Sequence, residues 1–232
     1  MASNKKNYYA VVRGRTPGLY KSWPEAEAEV RNFNDAKFKG FYSLGDALDY
    51  LAEHGITVPE HHSYVAEEPP EDCVLIYTDG GAIGNPGPGG YGVVLRYGNH
   101  RKELSQGFKE TTNNRMELMA CIAGLTALKK PSKVIIYSDS KYVVDSINKG
   151  WARRWRLNGW KKKDNKIVEN RDLWRKLLDA LDIHEVEFIW VKGHAGKKEN
   201  ERCDELAQRA ARDHDQKRDE GYAKNDIAGL FS

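Results

Sequence analysis

The sequence has few cysteines and no long apolar run. Its 232 residues include three cysteines, Cys73, Cys121 and Cys203, which lie far apart and form no C-x-x-C motif. This spacing argues against a disulfide framework and against a zinc site. No stretch approaches the ~20 apolar residues of a membrane-spanning helix, and Met1–Asn7 is polar with no apolar signal segment behind it. We therefore expect a cytoplasmic protein without membrane association, whose cysteines are buried and reduced.

The sequence also lacks a large net charge, since the formal value is +3, but its charges are unevenly distributed. Residues 1–72 contain eight Lys or Arg against twelve Asp or Glu, whereas Lys149–Lys166 contains eight basic residues and one acid. Three tryptophans, Trp151, Trp155 and Trp160, lie within this basic segment. A charge run is often only a solvated surface, and tryptophans at these spacings could belong to a core. The combination favours contact with a nucleic-acid backbone.

Two hexapeptides, Val74–Asp79 and Val134–Asp139, are near copies of each other, and each ends in a carboxylate. Four consecutive β-prone residues without polar alternation are typical of a strand buried on both faces. In a parallel pair, both carboxylates lie at the same edge of the sheet. Two negative charges that close repel each other unless a cation lies between them. A single Asp after a strand could equally start a turn or cap a helix, but the duplication favours a metal site.

Two further acids could complete such a site. Glu117 adjoins the first residue of an apolar stripe in a predicted helix at about 114–129, and Asp204 does so in a predicted helix at about 199–212. Each acid alone could simply be a solvated residue near a helix end. With Asp79 and Asp139 they would supply four carboxylates, a ligand set that suits two Mg²⁺ ions, or Mn²⁺ as a substitute. Two such ions can clamp a phosphoryl displacement.

The chain is predicted to form two domains. An acidic, proline-bearing linker at 55–72 separates an N-terminal domain, 1–54, from a larger domain at 73–213, and a tail follows at 214–232. In the small domain we predict strands at 8–12 and 19–21 and helices at 23–32 and 44–53. In the large domain we predict strands at 74–79, 91–97, 101–108, 134–139 and 186–190, with helices at 114–129, 140–148, 170–181 and 199–212. The helical crossover allows the two Asp-ending strands to be parallel neighbours.

Six motifs between about Cys73 and Ala211 together resemble type 1 ribonuclease H. They are Asp79-Gly80-Gly81, Gly84–Gly90, Thr111–Glu117, Ser138-Asp139-Ser140, Val191–Gly196 and Asn200–Leu206. The resemblance implies an α/β fold with a five-stranded mixed sheet flanked by helices. It also implies a two-metal endonuclease that cleaves the RNA strand of RNA–DNA hybrids and leaves 5′-phosphate and 3′-hydroxyl ends. Its metal ligands would be Asp79, Glu117, Asp139 and Asp204.

The same resemblance assigns other site residues. His194, which without this context could be a loop bystander, would relay protons or help the 5′-phosphate product to leave. The other residues would contact the substrate: Asn85, Asn113 and Asn114 near the scissile region, Thr112 and Asn170 on a phosphate of the DNA strand, and Trp151 and Trp155 in the basic segment. The asparagines could otherwise serve only turn geometry or helix capping. Glu110 stands where some relatives carry a basic residue, which predicts a weaker phosphate pocket.

The N-terminal domain resembles the hybrid-binding domain that precedes many type 1 enzymes, through Tyr9-Ala10-Val11, Gly14-Arg15, Gly18, Trp23 and Ala36–Phe41. Substrate contacts would come from five of its residues: Tyr9, Arg15, Trp23, Phe38 and Lys39. Trp23 could instead be a core residue beside a helix that Pro24 opens. Where the family often has a second Lys, this chain has Gly40, which predicts a lower affinity. The expected ligands are RNA–DNA hybrid and also double-stranded RNA.

The function could still belong to one of three classes. The first is a monomeric hybrid-directed hydrolase, the second a catalytically silent hybrid-binding module, and the third a DNA-directed nuclease that uses the same metal-dependent fold. The four acids argue against the second class. The asparagines, the basic segment and the N-terminal domain argue against the third.

Overall fold

A computed structural model describes residues 6–42, 44–56, 72–162, 164–193 and 198–222, and it divides the chain into a smaller N-terminal unit and a larger unit. Within these residues, every helix is too short or too polar to cross a membrane.

The smaller unit is built on a three-stranded antiparallel sheet. Its strands are β1 (Tyr8–Arg13), β2 (Gly18–Tyr20) and β3 (Lys37–Phe41), in the order β2-β1-β3. Two helices accompany them, α1 (Trp23–Val30) and α2 (Leu44–Glu53). Alternate residues of the central strand face opposite sides of a sheet. Val11 packs with α1 and Ala10 with α2, so the sheet lies between the two helices.

Strand β3 is the element of this unit that sequence reasoning missed. Its residues Lys37–Phe41 alternate basic residues with Phe and Gly, and most of them are exposed. Because β3 lies at the edge of the sheet and is largely exposed, it shows little of the apolar pattern from which strands are predicted.

The larger unit begins with an antiparallel meander and continues with alternating helices and strands. Its strands are β4 (Cys73–Ala82), β5 (Gly87–Tyr97), β6 (His100–Thr111), β7 (Lys133–Ser138) and β8 (Glu185–Trp190). Its helices are α3 (Asn113–Thr126), α4 (Lys141–Asn148), α5 (Trp151–Leu157), α6 (Arg171–Leu181) and α7 (Lys198–Arg212). Each predicted strand and helix of this unit is present, and α5 is an additional helix within the basic segment.

The five strands form one mixed sheet in the order β6-β5-β4-β7-β8. The near-copy strands β4 and β7 are parallel neighbours at its centre, and their register pairs Thr78 with Ser138. This confirms the predicted arrangement. Strand β4 runs three residues beyond Asp79 because Asp79–Ala82 remain paired with β5 after the pairing with β7 has ended.

Helices cover both faces of this sheet. Gly124 of α3 lies against Ile76 and Val93, whereas α7 packs on the opposite face through Cys203 and Leu206. Helix α7 lies unusually close to β5, since a methyl group at Gly92 would lie 2.7 Å from the Cβ of Leu206. The core beneath α3 continues to α6, whose Trp174 is fully buried. Burial of each large apolar side chain contributes about 1.5–3 kcal/mol.

The C-terminal segment, residues 213–222, folds back onto the larger unit. Lys217 forms a parallel bridge with Phe108 at the edge of β6, with its N–H donating to Gly107 O at 2.9 Å and its carbonyl accepting from Lys109 N at 2.9 Å. Asp219 is buried. The first part of the predicted tail is therefore a packed part of this unit, and the rest lies outside the described residues.

Candidate active site

Strands β4 and β7 bring Asp79 and Asp139 together. Both residues follow the last parallel pair of the two strands, Thr78 with Ser138, and so they lie at the same level. Glu117 approaches from α3, and one carboxylate oxygen from each of the three acids lies within 4.8 Å of the others. The arrangement gathers three carboxyl groups at the sheet edge where the parallel strands end.

Glu117 reaches the strands because α3 packs directly on Gly80. A Cβ atom at this position would lie 2.7 Å from the backbone nitrogen of Glu117 and would overlap the backbone of Met116. Any larger residue would have to displace the helix. The glycine after Asp79 therefore sets the distance between two of the three acids.

The backbone around Asp139 is held by its neighbours. Trp190 at the end of β8 donates from Nε1 to the carbonyl of Asp139 at 3.0 Å. The buried Ser138 accepts at Oγ from the N–H of Ser140 at 3.2 Å. A methyl group at Gly193 would lie 2.6 Å from Asp139 Oδ2. These contacts fix the direction in which the carboxylate leaves β7.

Burial first, and then the charges of Asp79 and Asp139, raise the pKa of Glu117 well above its ordinary value of 4.5. Its Oε2 atom is buried and has no hydrogen-bond partner within the described residues. Such an oxygen is costly to bury when ionised unless a cation compensates it. Because three carboxylates form an oxygen-only donor set, the residues present fit a hard divalent cation of the Mg²⁺ or Mn²⁺ type.

The structure does not bring Asp204 into this group. Within the described part of the chain, the cluster of candidate metal ligands consists of Asp79, Glu117 and Asp139. Asp204 lies on α7, where its two carboxylate oxygens accept from Gln208 Nε2 at 2.8 and 2.9 Å. His194 falls outside the described residues.

Two of the predicted asparagines link the glycine-rich turn to the start of α3. Asn85 Oδ1 accepts from the N–H of Asn113 at 3.0 Å, and Asn113 Oδ1 accepts from the N–H of Ala82 at 2.7 Å. Because each amide oxygen is engaged, each residue presents its Nδ2 donor on the other side. Asn114 is exposed in the first turn of α3. The two amide oxygens thus tie the glycine-rich turn to the start of α3.

Thr112 and Asn170 precede the helices α3 and α6, and neither side chain forms a capping hydrogen bond to its own helix. Asn170 adopts a left-handed conformation with φ 55°, and its Oδ1 accepts from Arg115 Nη1 at 3.4 Å. Sequence reasoning missed Arg115: the residue lies within the motif Thr111–Glu117, but no role was predicted for it. An arginine in an apolar helix is the signal that could have found it, since a buried guanidinium needs acid partners.

The basic segment forms one wall of a cleft of about 340 Å³ whose lining includes Tyr142, Trp151, Trp155 and Lys162. Trp151 is 38% exposed, whereas Trp155 is half-buried against Trp174, with ring centroids 5.6 Å apart. Trp160, the third tryptophan of the segment, is a core residue with 5% exposure. The segment therefore divides its aromatic residues between the core and an accessible cleft.

In the smaller unit, Trp23 lies between Tyr9 and Phe38, with centroid distances of 5.4 Å to each ring. Phe38 is 42% exposed. Lys39 is the next residue of β3 and lies over the rings of Phe41 and Tyr50 on the α2 side, at 5.3 Å from each. The predicted contact residues thus occupy both sides of an edge strand.

The remaining predicted contact of this unit, Arg15, is tied to α1. Its Nη1 donates to the carbonyl of Ala28 at 2.6 Å, and its backbone N–H donates to Glu29 O at 2.9 Å. The loop that carries Arg15 is therefore held in place, and the exposed guanidinium lies at the end of α1.

We expect Glu117→Gln to stabilise the metal-free protein at neutral pH. Because the folded state holds a proton that the unfolded chain releases, the free energy of unfolding falls as pH rises from about 4.5 through the raised pKa. Glutamine keeps the shape of the side chain but does not ionise, so the free energy of unfolding of the variant does not fall in this way. In EDTA, the Tm of the variant should exceed that of the wild type by a margin that grows as the pH rises above about 4.5.

Thermal melts across this pH range check the prediction, with Glu110→Gln as the control because Glu110 is exposed on β6. A margin that does not change with pH, or a variant less stable than the wild type at the upper end, would contradict it. Added Mg²⁺ should raise the Tm of the wild type more than that of the variant.

Known proteins resemble both units. The profile of the RNase H family matches residues 71–212, and that of the ribonuclease H1 N-terminal domain matches residues 7–51. Ribonuclease H of Syntrophus aciditrophicus is 57% identical over 157 residues, which cover 68% of this chain and 91% of that protein. Ribonuclease HI of Synechocystis sp. is 52% identical over 154 residues, which cover 66% of this chain and 96% of that protein.

Among solved structures, the chain resembles LC9-RNase H1, a type 1 RNase H with the type 2 active-site motif. The TM-score is 0.55 at 35% identity, over 61% of this chain and 73% of that chain. Residues 71–212, which the RNase H profile matches, contain the five-stranded sheet and the three acids Asp79, Glu117 and Asp139. Since the family profile spans more than half of the chain and the named relatives are more than 50% identical to it, the chain belongs to the ribonuclease H family.

Proposed function

We propose that this chain is a metal-dependent endonuclease that hydrolyses the RNA strand of RNA–DNA hybrids and leaves 5′-phosphate and 3′-hydroxyl ends. The observation that carries the proposal is the cluster of Asp79, Glu117 and Asp139 at the edge of a ribonuclease H sheet. An intact acidic cluster with a buried, uncompensated oxygen argues against a silent binding module. We further propose that the protein acts as a monomer, with the N-terminal domain and linker bounded as predicted and with residues 213–222 as part of the larger domain.

The three carboxylates would hold Mg²⁺, with Mn²⁺ as a substitute. When bound, two such ions activate the attacking water and stabilise the leaving oxygen of a phosphodiester. Asp79 and Asp139 offer oxygens from the sheet, while Glu117 offers one from α3. Asp204 would be the fourth ligand once its carboxylate exchanges Gln208 for a cation. His194 comes directly after Gly193, which lies against Asp139. It would relay protons for the reaction or help the 5′-phosphate product to leave.

Selection of RNA would come from the amides beside the acids. The 2′-hydroxyl distinguishes RNA from DNA, and it is reached in the minor groove by polar side chains and backbone groups. Asn85 and Asn113 each present an Nδ2 donor, because their oxygens are bonded to backbone N–H groups. Asn114 lies beside them in the first turn of α3. These donors would read the RNA strand on either side of the scissile phosphate.

The DNA strand would be held by the cleft beside the basic segment and by the ends of two helices. Trp151 and Trp155 offer ring surface in the cleft, and Lys162 lines the same wall. Thr112 and Asn170 would hold one phosphate between the starts of α3 and α6. The lysines and aromatic rings would thus contact the DNA strand, and the acids would act on the RNA strand.

The smaller unit would add affinity for hybrid and for double-stranded RNA. Its family match supports this role, as does the row of Tyr9, Trp23 and Phe38. Exposed rings stack on sugars or bases at about 1–3 kcal/mol each. Lys39 and Arg15 would meet phosphates from the other side of β3 and from the end of α1.

Trp23→Ala should weaken hybrid binding by the full-length protein about tenfold, because the central ring of the row is lost. Fluorescence anisotropy with a labelled non-cleavable duplex measures the effect. Val30→Ala is the matched control, since Val30 is buried in the same cluster and offers no ring. Equal affinities of the wild type and Trp23→Ala, or an equal loss in Val30→Ala, would contradict the proposed role.

Strand-specific labelling tests the proposed reaction. With Mg²⁺ and a hybrid labelled on either the RNA or the DNA strand, we expect fragments only from the RNA strand. The fragments should be substrates for enzymes that require a 5′-phosphate and a 3′-hydroxyl. Cuts in the DNA strand, or ends that carry a 2′,3′-cyclic phosphate, would overturn the proposal.

A further inference from the structure

Arg115 forms a buried ion network with two carboxylates that come from distant parts of the chain. Its side chain is 1% exposed. It donates to both oxygens of Asp219 at 2.6 and 2.7 Å, and to both oxygens of Asp172 at 3.0 and 2.8 Å. Two forked pairs of this kind fix the planar guanidinium in orientation as well as position.

Asp219 is held as firmly as the arginine. Its side chain is also 1% exposed, and it accepts a further hydrogen bond from the hydroxyl of Thr111 at 2.7 Å. The N–H of Tyr222 donates to its Oδ1 at 3.3 Å. Asp219 belongs to the C-terminal segment, which lies beyond the end of the family match at residue 212. The segment thus supplies a buried charge to the larger unit.

The network joins the beginnings of two helices. Arg115 lies in the first turn of α3, three residues after Thr112, and Asp172 lies in the first turn of α6, two residues after Asn170. Because Arg115 and Asp172 are bonded to each other, the starts of α3 and α6 are held at a fixed separation. This separation sets the distance between Thr112 and Asn170.

Arg115 also determines which way the amide of Asn170 faces. A guanidinium has only donors, so the atom that meets Arg115 Nη1 at 3.4 Å must be the amide oxygen. The Nδ2 atom then lies on the other side, where it donates to the hydroxyl of Tyr142 at 3.4 Å. Asn170 is thereby fixed with its Nδ2 group beside Tyr142, which lines the cleft. An amide N–H of this kind can donate to a phosphate oxygen.

We infer that Arg115 and Asp219 are positioning residues for substrate binding: the C-terminal segment fixes Arg115, and Arg115 fixes Thr112 and Asn170 for a phosphate of the DNA strand. The inference rests on the proposed hydrolysis of hybrids. It makes the segment 213–222 a working part of the catalytic unit. Loss of Asp219 leaves the guanidinium with one carboxylate, so the ends of α3 and α6 and the amide of Asn170 lose their fixed geometry.

Steady-state kinetics on a hybrid substrate tests this inference with Asp219→Asn. We expect KM to rise on the order of tenfold, with kcat within about twofold of the wild type, because binding geometry changes and the acids do not. Asp215→Asn is the matched control: it makes the same change in the same segment, at an exposed residue. In the background of Asn170→Ala, Asp219→Asn should have little further effect on KM.

Two further variants separate positioning from mere stability. Thr111→Val keeps every charge and removes one hydrogen bond to Asp219, so its KM should rise by a smaller factor even where Asp219→Asn fails to fold. Val74→Ala weakens the core at the end of β4 far from Asp79 and shows what lost stability alone does to KM. Unchanged KM in Thr111→Val and Asp219→Asn, or equal effects in Val74→Ala, would overturn the inference. A wild-type protein that does not cleave hybrid would instead overturn the proposed function.

Discussion

Asp79→Asn is expected to reduce the rate of hybrid cleavage about a thousandfold or more. Asp79 lies on β4, the neighbour of β7 in the sheet, and its carboxylate belongs to the group of three whose oxygens converge within 4.8 Å. Asparagine keeps the size of the side chain but removes one charge and one cation ligand. Since a divalent cation bound to oxygen ligands depends on their charge, the remaining Glu117 and Asp139 would hold it too weakly for catalysis.

Hybrid binding and folding should survive this change. The substrate contacts proposed for the cleft and for the smaller unit do not involve Asp79, and removal of its charge relieves repulsion within the group of acids. Initial rates in Mg²⁺ and anisotropy with the same duplex measure the two properties. Asp179→Asn, an identical change on the exposed surface of α6, is the control and should cleave like the wild type. Cleavage by Asp79→Asn at more than a tenth of the wild-type rate would contradict the role of the cluster.

Neutralising Lys161 and Lys162 together should weaken hybrid binding about tenfold at low salt. Both lysines follow Trp160, which anchors the basic segment in the core, and Lys162 lines the cleft. Each cation that contacts a phosphate releases counterions on binding, so the slope of log K against log salt should become shallower by up to about 2 for two lost contacts. The Lys161→Gln, Lys162→Gln double variant measured from low to high salt checks both numbers.

The control for this prediction carries the same change in net charge. Lys129 and Lys130 are exposed just after α3, at the end of that helix opposite Glu117. Their double substitution by Gln alters the total charge equally but removes no cation from the cleft. If both double variants lower affinity and slope alike, the effect is one of net charge, and the proposed contact of the basic segment with the DNA strand is wrong.

The centre of the site was predictable from the sequence because it follows from regular structure. The repeated hexapeptides ending at Asp79 and Asp139 have the apolar pattern of central strands, and parallel pairing then leaves one arrangement for the two acids. Glu117 could be added because it borders the apolar stripe of α3. The family resemblance supplied the remaining ligands and contacts, and of these the structure shows Asn85 and Asn113 bonded to each other beside the acids.

Other features depend on contacts that leave no periodic signal. Asp219 lies in a segment without apolar periodicity, and its importance arises only because the chain returns to Arg115 more than a hundred residues away in sequence. Strand β3 is an exposed edge whose pattern does not differ from that of a polar loop. Asp204 is held by Gln208, one helical turn further along α7, whose Nε2 donates to both of its carboxylate oxygens. Tertiary contacts decide the positions of Asp219 and β3, whereas a side-chain contact within α7 decides that of Asp204.

The most direct test of the account is cleavage by the full-length protein of four labelled substrates in Mg²⁺: RNA–DNA hybrid, double-stranded RNA, double-stranded DNA and single-stranded RNA. The account predicts that only the RNA strand of the hybrid is cut, that EDTA stops the reaction, and that Asp79→Asn does not cut it. Cleavage of any other substrate at a comparable rate, or cleavage of the hybrid that persists in EDTA, would contradict it.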